Sequence, residues 1–307
     1  VLRVLTEVIL PIVLIAGAGF LLERTTRLDV RTLSKLNVNL LVPVFLFDNF
    51  YHMGIRLGEA WTAAFFTWGV MVAMLIVALI VGRGIGFQRS MLVAFAVSTI
   101  FYNCGNYGLS VMELVFSGEE QRAAMAMQTV VLTTQNLTNF TLGVFFISSG
   151  TRSLRQSALN AVRYPIIPAF LLAIALRALR VELPTFLSLP ITRLASAVVP
   201  MGLVTLGVQI GTVARIERLP VLGLSAAIRL LLGPLAALGL IHAFGLSGLT
   251  AQVLLIGASV PTAVNTALLS IEFKTESNFA SQAVVFSTLA SIVTMSIVVF
   301  YATTFLS

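Results

Sequence analysis

Apolar residues run through this chain in stretches of about twenty or more, interrupted by short segments where Gly, Pro, Ser and the charged residues collect. A helix needs about 20 mostly apolar residues to cross a hydrocarbon core of roughly 30 Å. On that measure the pattern predicts ten spans, at 4–22, 32–50, 61–82, 88–116, 123–149, 157–179, 186–213, 220–244, 248–272 and 278–306. Nothing alternates with a period of two, so a β-barrel is not expected. The gaps leave no room for a separate soluble domain. Residues 4–22 lead straight into a second span and read as a membrane helix rather than a cleaved signal. The expected fold class is an all-α polytopic membrane protein with ten transmembrane helices.

Composition agrees with the pattern. The 307 residues are 58% hydrophobic and 10% charged, with a mean hydropathy of +1.00. A soluble domain carries about 25% charged residues. The net charge of +7 does not point to nucleic acid, because the basic residues sit in the gaps between apolar runs, as positive-inside loops do. Gaps on the side of the N-terminus hold six Lys and Arg, the opposite side holds twelve, and Arg229 lies within a span. The rule therefore puts both termini outside the cytoplasm, in a plasma or inner membrane. Cys104 is the single cysteine, so no internal disulfide or Cys/His zinc site is expected.

The two halves echo each other. Pro11 and Pro165 are 154 residues apart, Pro43 and Pro200 are 157 apart, and Gly105 and Pro261 are 156 apart. The segment Val130-Val131-Leu132-Thr133-Thr134 also matches Val284-Val285-Phe286-Ser287-Thr288 at an offset of 154. Each repeat, 1–150 and 151–307, holds five spans. An odd number of crossings inverts the second copy, and inverted repeats are a signature of secondary transporters.

Chemistry concentrates in the fourth and ninth spans. Ser98 to Leu109 carries Asn103, Gly105, Asn106 and Gly108 near the middle of a span of unusual length, and Gly257 to Thr266 carries Pro261, Thr262 and Asn265. Gly and Asn weaken a helix, and Pro continues one badly while starting one well. One such break alone is most simply a packed kink. Two at matching places point to a midplane site in which half-helix N-termini attract a carboxylate and freed carbonyls hold a cation. The amides of Asn103, Asn106 and Asn265 can orient an anion without a buried charge.

Further polar groups lie at depth. Gln128, Gln135 and Asn139 share one face of the fifth span, either lining the site or bonding between helices; Gln135 and Asn139 are the better site candidates. Arg229, mid-span without an acidic residue at its depth, either satisfies carbonyls of a broken helix, stands in for a coupling cation or meets the anion. Asn39 and Gln209 are weaker candidates for the cavity wall, beside kinking prolines Pro43 and Pro200. Asp48, Glu113, Glu272, His52 and His242 all fall toward span ends. That arrangement argues against proton coupling through a buried acid and leaves sodium coupling open.

The ten-span layout, the segment Asn103-Cys104-Gly105-Asn106-Tyr107-Gly108-Leu109, the stretch from Pro261 to Thr294 and Arg229-Leu230-Leu231-Leu232-Gly233-Pro234 resemble the auxin efflux carrier family. That family includes plant auxin exporters and bacterial malate or malonate carriers. The resemblance covers nearly the whole chain. It implies a fold like that of bile-acid sodium symporters. The first, second, sixth and seventh spans would form a scaffold, the others a moving transport domain, with the fourth and ninth crossing at the substrate. Family members often carry proline two residues after the glycine where this chain has Ser110, so the break here must rest on the glycines. The expected function is alternating-access transport of a small organic anion in a lipid membrane. No nucleic acid and no prosthetic group are expected, and a homodimer is one assembly open to such a carrier. The nearest rival is a sodium-coupled bile-acid-type symporter or cation/proton antiporter, which would need deep acidic ligands. A channel lacks its charge rings or filter here, and an intramembrane enzyme lacks a nucleophile–base pair at depth.

Overall fold

The structure, a computed structural model, describes residues 2–52, 57–139, 165–213, 216–272 and 276–306. Among the described residues the fold is helical throughout, without β-strands. In chain order the helices are α1 (Leu2–Thr26), α2 (Val30–Tyr51), α3 (Leu57–Gly84), α4 (Arg89–Ile100), α5 (Gly108–Val115) and α6 (Gly118–Thr138). They continue with α7 (Ile166–Ala178), α8 (Thr185–Thr212), α9 (Leu219–Ala243), α10 (Gly248–Ser259), α11 (Val264–Glu272) and α12 (Ser277–Phe305).

Six of these, α1, α2, α3, α8, α9 and α12, are long and apolar enough to cross a membrane unaided. The remaining expected spans differ for reasons written in the sequence. Span 88–116 is divided between α4 and α5, and span 248–272 between α10 and α11. In α6 a run of Gln, Thr and Asn lowers the hydropathy. Residues 140–149 of the fifth span and 157–164 of the sixth lie outside the described residues.

Local chemistry sets the helix ends. Arg27 adopts a left-handed conformation with φ 52° and closes α1 through its N–H to the Glu23 carbonyl. Two residues on, the Asp29 carboxylate caps α2, accepting from the N–H groups of Arg31 and Thr32 at 3.1 Å each and from the Thr32 hydroxyl at 2.6 Å. Those bonds, the hydroxyl first, hold the Asp29 carboxyl below the usual carboxylate range. Within α8, Pro200 has no N–H for the Ser196 carbonyl, and the helix steps at Ala197.

The outer faces are apolar. Val72, Ile76 and Ile80 on α3, and Leu289, Val293 and Ile297 on α12, form exposed rows at four-residue spacing, as lipid-facing helices do. Inside, two groups pack. α1 lies along α8 so closely that Gly19 faces the Val204 backbone and Gly207 the Ala16 backbone. α2 packs on α7 and α8, with Phe50 edge-on to Phe170 at 4.7 Å. The Tyr51 hydroxyl bridges the Val181 carbonyl at 2.8 Å and the Leu183 N–H at 3.2 Å. In the second group α3 packs on α4, α6 and α9, while α12 packs on α9, α10 and α11.

Candidate functional site

Both interrupted segments unwind at the same place in the structure and exchange backbone bonds. After Ile100 the chain is extended at Phe101, and after Ser259 it is extended at Val260. Tyr102 and Thr262 then face each other as a lone antiparallel pair. The Asn103 N–H donates to the Pro261 carbonyl at 2.7 Å and the Ala263 N–H to the Phe101 carbonyl at 3.0 Å.

Many of the backbone groups released by the breaks find new partners across the crossing or on neighbouring helices, as burial in a membrane favours. The Tyr102 N–H donates to Gln135 Oε1 at 3.2 Å, and Gln135 Nε2 returns a bond to the Tyr102 carbonyl at 3.4 Å. Thr262 donates its hydroxyl to the Ser98 carbonyl at 2.8 Å and its N–H to Ser287 Oγ at 3.1 Å. Gln128 donates to the Cys104 carbonyl at 2.8 Å. Its amide lies between Gly108 and Gly257, where a Cβ on either glycine would collide with it. The start of α5 is tied to Asn103, whose carbonyl accepts from the Gly108 N–H at 2.8 Å and whose Oδ1 accepts from the Tyr107 N–H at 3.4 Å. Ser110 donates its hydroxyl to the Asn106 carbonyl at 2.7 Å and thereby satisfies an acceptor just ahead of α5.

Against this crossing lies a cavity of about 60 Å³, roughly four times the space one water needs on the same measure. Asn103, Gly105, Asn106, Gln135, Asn139 and Asn265 line it, together with Ser34 and Asn37 of α2 and Thr205 of α8. Among the described residues no charged side chain is in the lining. Four buried polar atoms there have no partner among the described residues: Ser34 Oγ, Asn37 Oδ1, Asn103 Nδ2 and Asn139 Oδ1. An unpaired polar group away from water costs about 1–3 kcal/mol. Such groups persist where a ligand uses them. Asn103 Nδ2 and the Ser34 hydroxyl can donate to a carboxylate, while Asn37 Oδ1 and Asn139 Oδ1 can accept from a hydroxyl or a protonated group.

Other predicted residues stand elsewhere. Pro261 and Thr262 are buried in the crossing itself and hold the backbone rather than line the cavity. Gln209 is buried but absent from the lining. Asn39 is exposed, and the cavity is served instead by Asn37. Two helical positions are about 200° apart around the axis, so the two asparagines point to opposite sides. Asn37 Nδ2 donates to the Thr205 hydroxyl at 2.8 Å. The signal that could have found it is its three-residue spacing from Ser34 on one helical face.

Arg229 is fully buried behind the crossing. It sits in a π-helical turn at Ile228–Leu232, and Pro234 has no N–H for the Leu230 carbonyl. Nη1 donates to the Thr99 carbonyl at 3.2 Å and Nη2 to that of Ala258. The guanidinium carbon lies 4.8 Å from the Tyr102 ring centroid. Arg229 therefore faces the cavity only through Tyr102.

Known proteins point the same way. A family model described as "Membrane transport protein" matches residues 4–299. The chain is also 25% identical over 307 residues to a protein of Methanothermobacter thermautotrophicus named "Uncharacterized transporter", covering 94% of this chain and 96% of that protein.

Proposed function

This chain belongs to the membrane transport protein family, a transport protein rather than an enzyme, and from that premise we propose that it carries a small organic anion across a cell membrane by alternating access. The observation that carries this reading is the convergence of Ser34, Asn37, Asn103 and Asn139, each with an unpartnered polar atom, on an uncharged cavity beside two interrupted helices. An uncharged polar set beside helix N-termini, with donors from Asn103 Nδ2 and the Ser34 hydroxyl, suits a carboxylate. Among the described residues the lining holds no acidic group, which favours an anion over a cation or proton. The size of the cavity favours a compact carboxylate, such as a dicarboxylate, over a bile acid.

The same reading assigns parts to the fold. Residues 1–150 and 151–307 act as two inverted five-helix repeats, each interrupted in its fourth span, at Tyr102 and at Thr262. The group α1, α2, α7 and α8 serves as scaffold, while α3–α6 and α9–α12 move against it with the substrate between them. Support comes from the packing, which joins each group internally, and from the cavity, whose walls come from both. The distribution of Lys and Arg supports termini outside the cytoplasm.

The test is thermal unfolding of the purified protein with malonate, malate and indole acetate, for wild type and Asn103→Ala. A rise in midpoint with one carboxylate, absent in the variant, supports the reading. Stabilisation by neutral or cationic solutes alone would sink it.

A further inference from the structure

The two carbonyls that hold Arg229 are those which the breaks release. In an unbroken helix the Thr99 carbonyl would accept from the Asn103 N–H, four residues on, but that donor goes to Pro261. The Ala258 carbonyl would accept from the Thr262 N–H, which goes instead to Ser287. Both carbonyls lie in the last turn of a half-helix, α4 and α10, so two negative dipole ends meet at one point. Such half-helix C-termini are where transporters coordinate a coupling cation. Here a guanidinium occupies the place, donating to both helices.

We propose that Arg229 is a built-in, non-exchangeable cation at the crossing, taking the position of a coupling ion, so that the carrier runs without Na+ there. The surroundings are shaped for it. Gly233 leaves room for the group, since a Cβ there would lie 2.9 Å from the guanidinium carbon. The Tyr102 ring covers one face of it. Among the described residues no carboxylate pairs with it, so its charge is spent on backbone carbonyls and on the field across the crossing. Arginine stays charged through the physiological range, so the site neither empties nor titrates during a cycle. Because Tyr102 also lines the cavity, the same charge favours an anion on the far side of that ring and opposes a second cation. This last consequence rests on the carrier reading; the occupancy of the cation position does not.

The experiment is thermal unfolding of the purified full chain in sodium chloride against choline chloride, for wild type, Arg229→Lys and Arg229→Ala, with no carboxylate present. Wild type is expected to melt at the same temperature in both salts, within about a degree. Arg229→Ala should melt lower, recover with millimolar guanidinium or methylguanidinium but not tetramethylammonium, and gain a stabilising response to Na+ that wild type lacks. A purely space-filling role for Arg229 would give no new Na+ response. Stabilisation of wild type by Na+ over choline overturns the proposal, as does an Arg229→Ala protein indifferent to both guanidinium and Na+. Where Arg229→Ala does not fold, the decision passes to wild type and Arg229→Lys: a Na+ response in either overturns it, and indifference in both supports it. The carboxylate panel tests the carrier reading separately, so either can fail alone.

Discussion

Gln135 grips Tyr102 by both of its backbone polar groups, accepting from the N–H at 3.2 Å and donating to the carbonyl at 3.4 Å. A side chain from α6 thus supplies what a neighbouring strand would supply to extended backbone, at a depth where water is not available to do so. The extended stretch is held from one side by Gln135 and from the other by the bonds to Phe101 and Asn103 that span the crossing.

Gln135→Ala should therefore lower the unfolding midpoint by a few degrees, because it strands the buried Tyr102 N–H at about 1–3 kcal/mol, while the Tyr102 carbonyl keeps its bond from the Cys104 N–H at 2.8 Å. Gln135→Glu should be worse for the anion than for the fold. It keeps an acceptor for the Tyr102 N–H but places a negative oxygen in the cavity wall. The carboxylate-induced rise in midpoint should vanish in Gln135→Glu, and its survival would remove Gln135 from the site.

The unpartnered polar groups predict a trade of stability against binding. Ser34→Ala and Asn139→Leu each replace a polar atom that has no partner among the described residues with an apolar group of similar size. The protein without ligand should melt at the same temperature or higher, since replacing an unsatisfied buried group is neutral or stabilising. Carboxylate stabilisation should be lost. A drop in both quantities together would mean these side chains serve packing.

Part of this was legible in the sequence. The breaks were, because Gly, Asn and Pro carry their backbone consequences with them, and Asn103, Asn106 and Asn265 line the cavity as their positions in those breaks suggested. The helical class followed from run length. The choice between Asn37 and Asn39 was not legible, because the phase of a helix that bears a π-helical turn at Asn37–Leu41 is not given by counting along it. Nor were the partners of Arg229. They are carbonyls, which every residue has, and only the fold reveals which ones lose their donors. Pro261 and Thr262 stand in the expected region but serve a different purpose there, since they build the crossing that positions the cavity.

Movement between the two helix groups should be sensitive to Gly202. A Cβ at that position of α8 would lie 2.7 Å from Asn106 Oδ1 and 2.9 Å from its Cβ, so the glycine lets the crossing approach α8. In reconstituted vesicles, Gly202→Val should slow uptake at least tenfold while leaving the purified protein folded. Gly207→Ala is the contrasting variant. It pushes on the Ala16 backbone within one helix group, so it should cost stability, about 1–3 kcal/mol by overpacking, and slow uptake only as far as it unfolds the protein.

Acid should act on the cap of α2. The Asp29 carboxyl is held below its ordinary range by the Thr32 hydroxyl and then by the Arg31 N–H. A depressed folded-state value means that its contribution is complete above the unfolded pKa, about 3.9, and disappears as pH falls through the lower folded value. Unfolding midpoints should thus be insensitive to this group from pH 5 upward and fall below about pH 4. In Asp29→Asn the acid-side fall should be shallower. An unchanged acid limb would show that the cap does not form in the membrane-bound protein.

Orientation can be tested with the chain's own cysteine as background. Cys104, the only one, is buried at the crossing, so labelling of intact cells by a membrane-impermeant maleimide should be near zero in wild type. Thr304 is exposed at the end of α12, and Ile85 is exposed just beyond α3. The excess of Lys and Arg on the side of the α3–α4 turn puts Ile85 in the cytoplasm and Thr304 outside. Thr304→Cys should label in intact cells and Ile85→Cys only after permeabilisation. The reverse pattern would invert the protein in its membrane. The cavity would then stay as described, but the positive-inside argument would fail for this chain, and any direction of transport inferred from it would reverse.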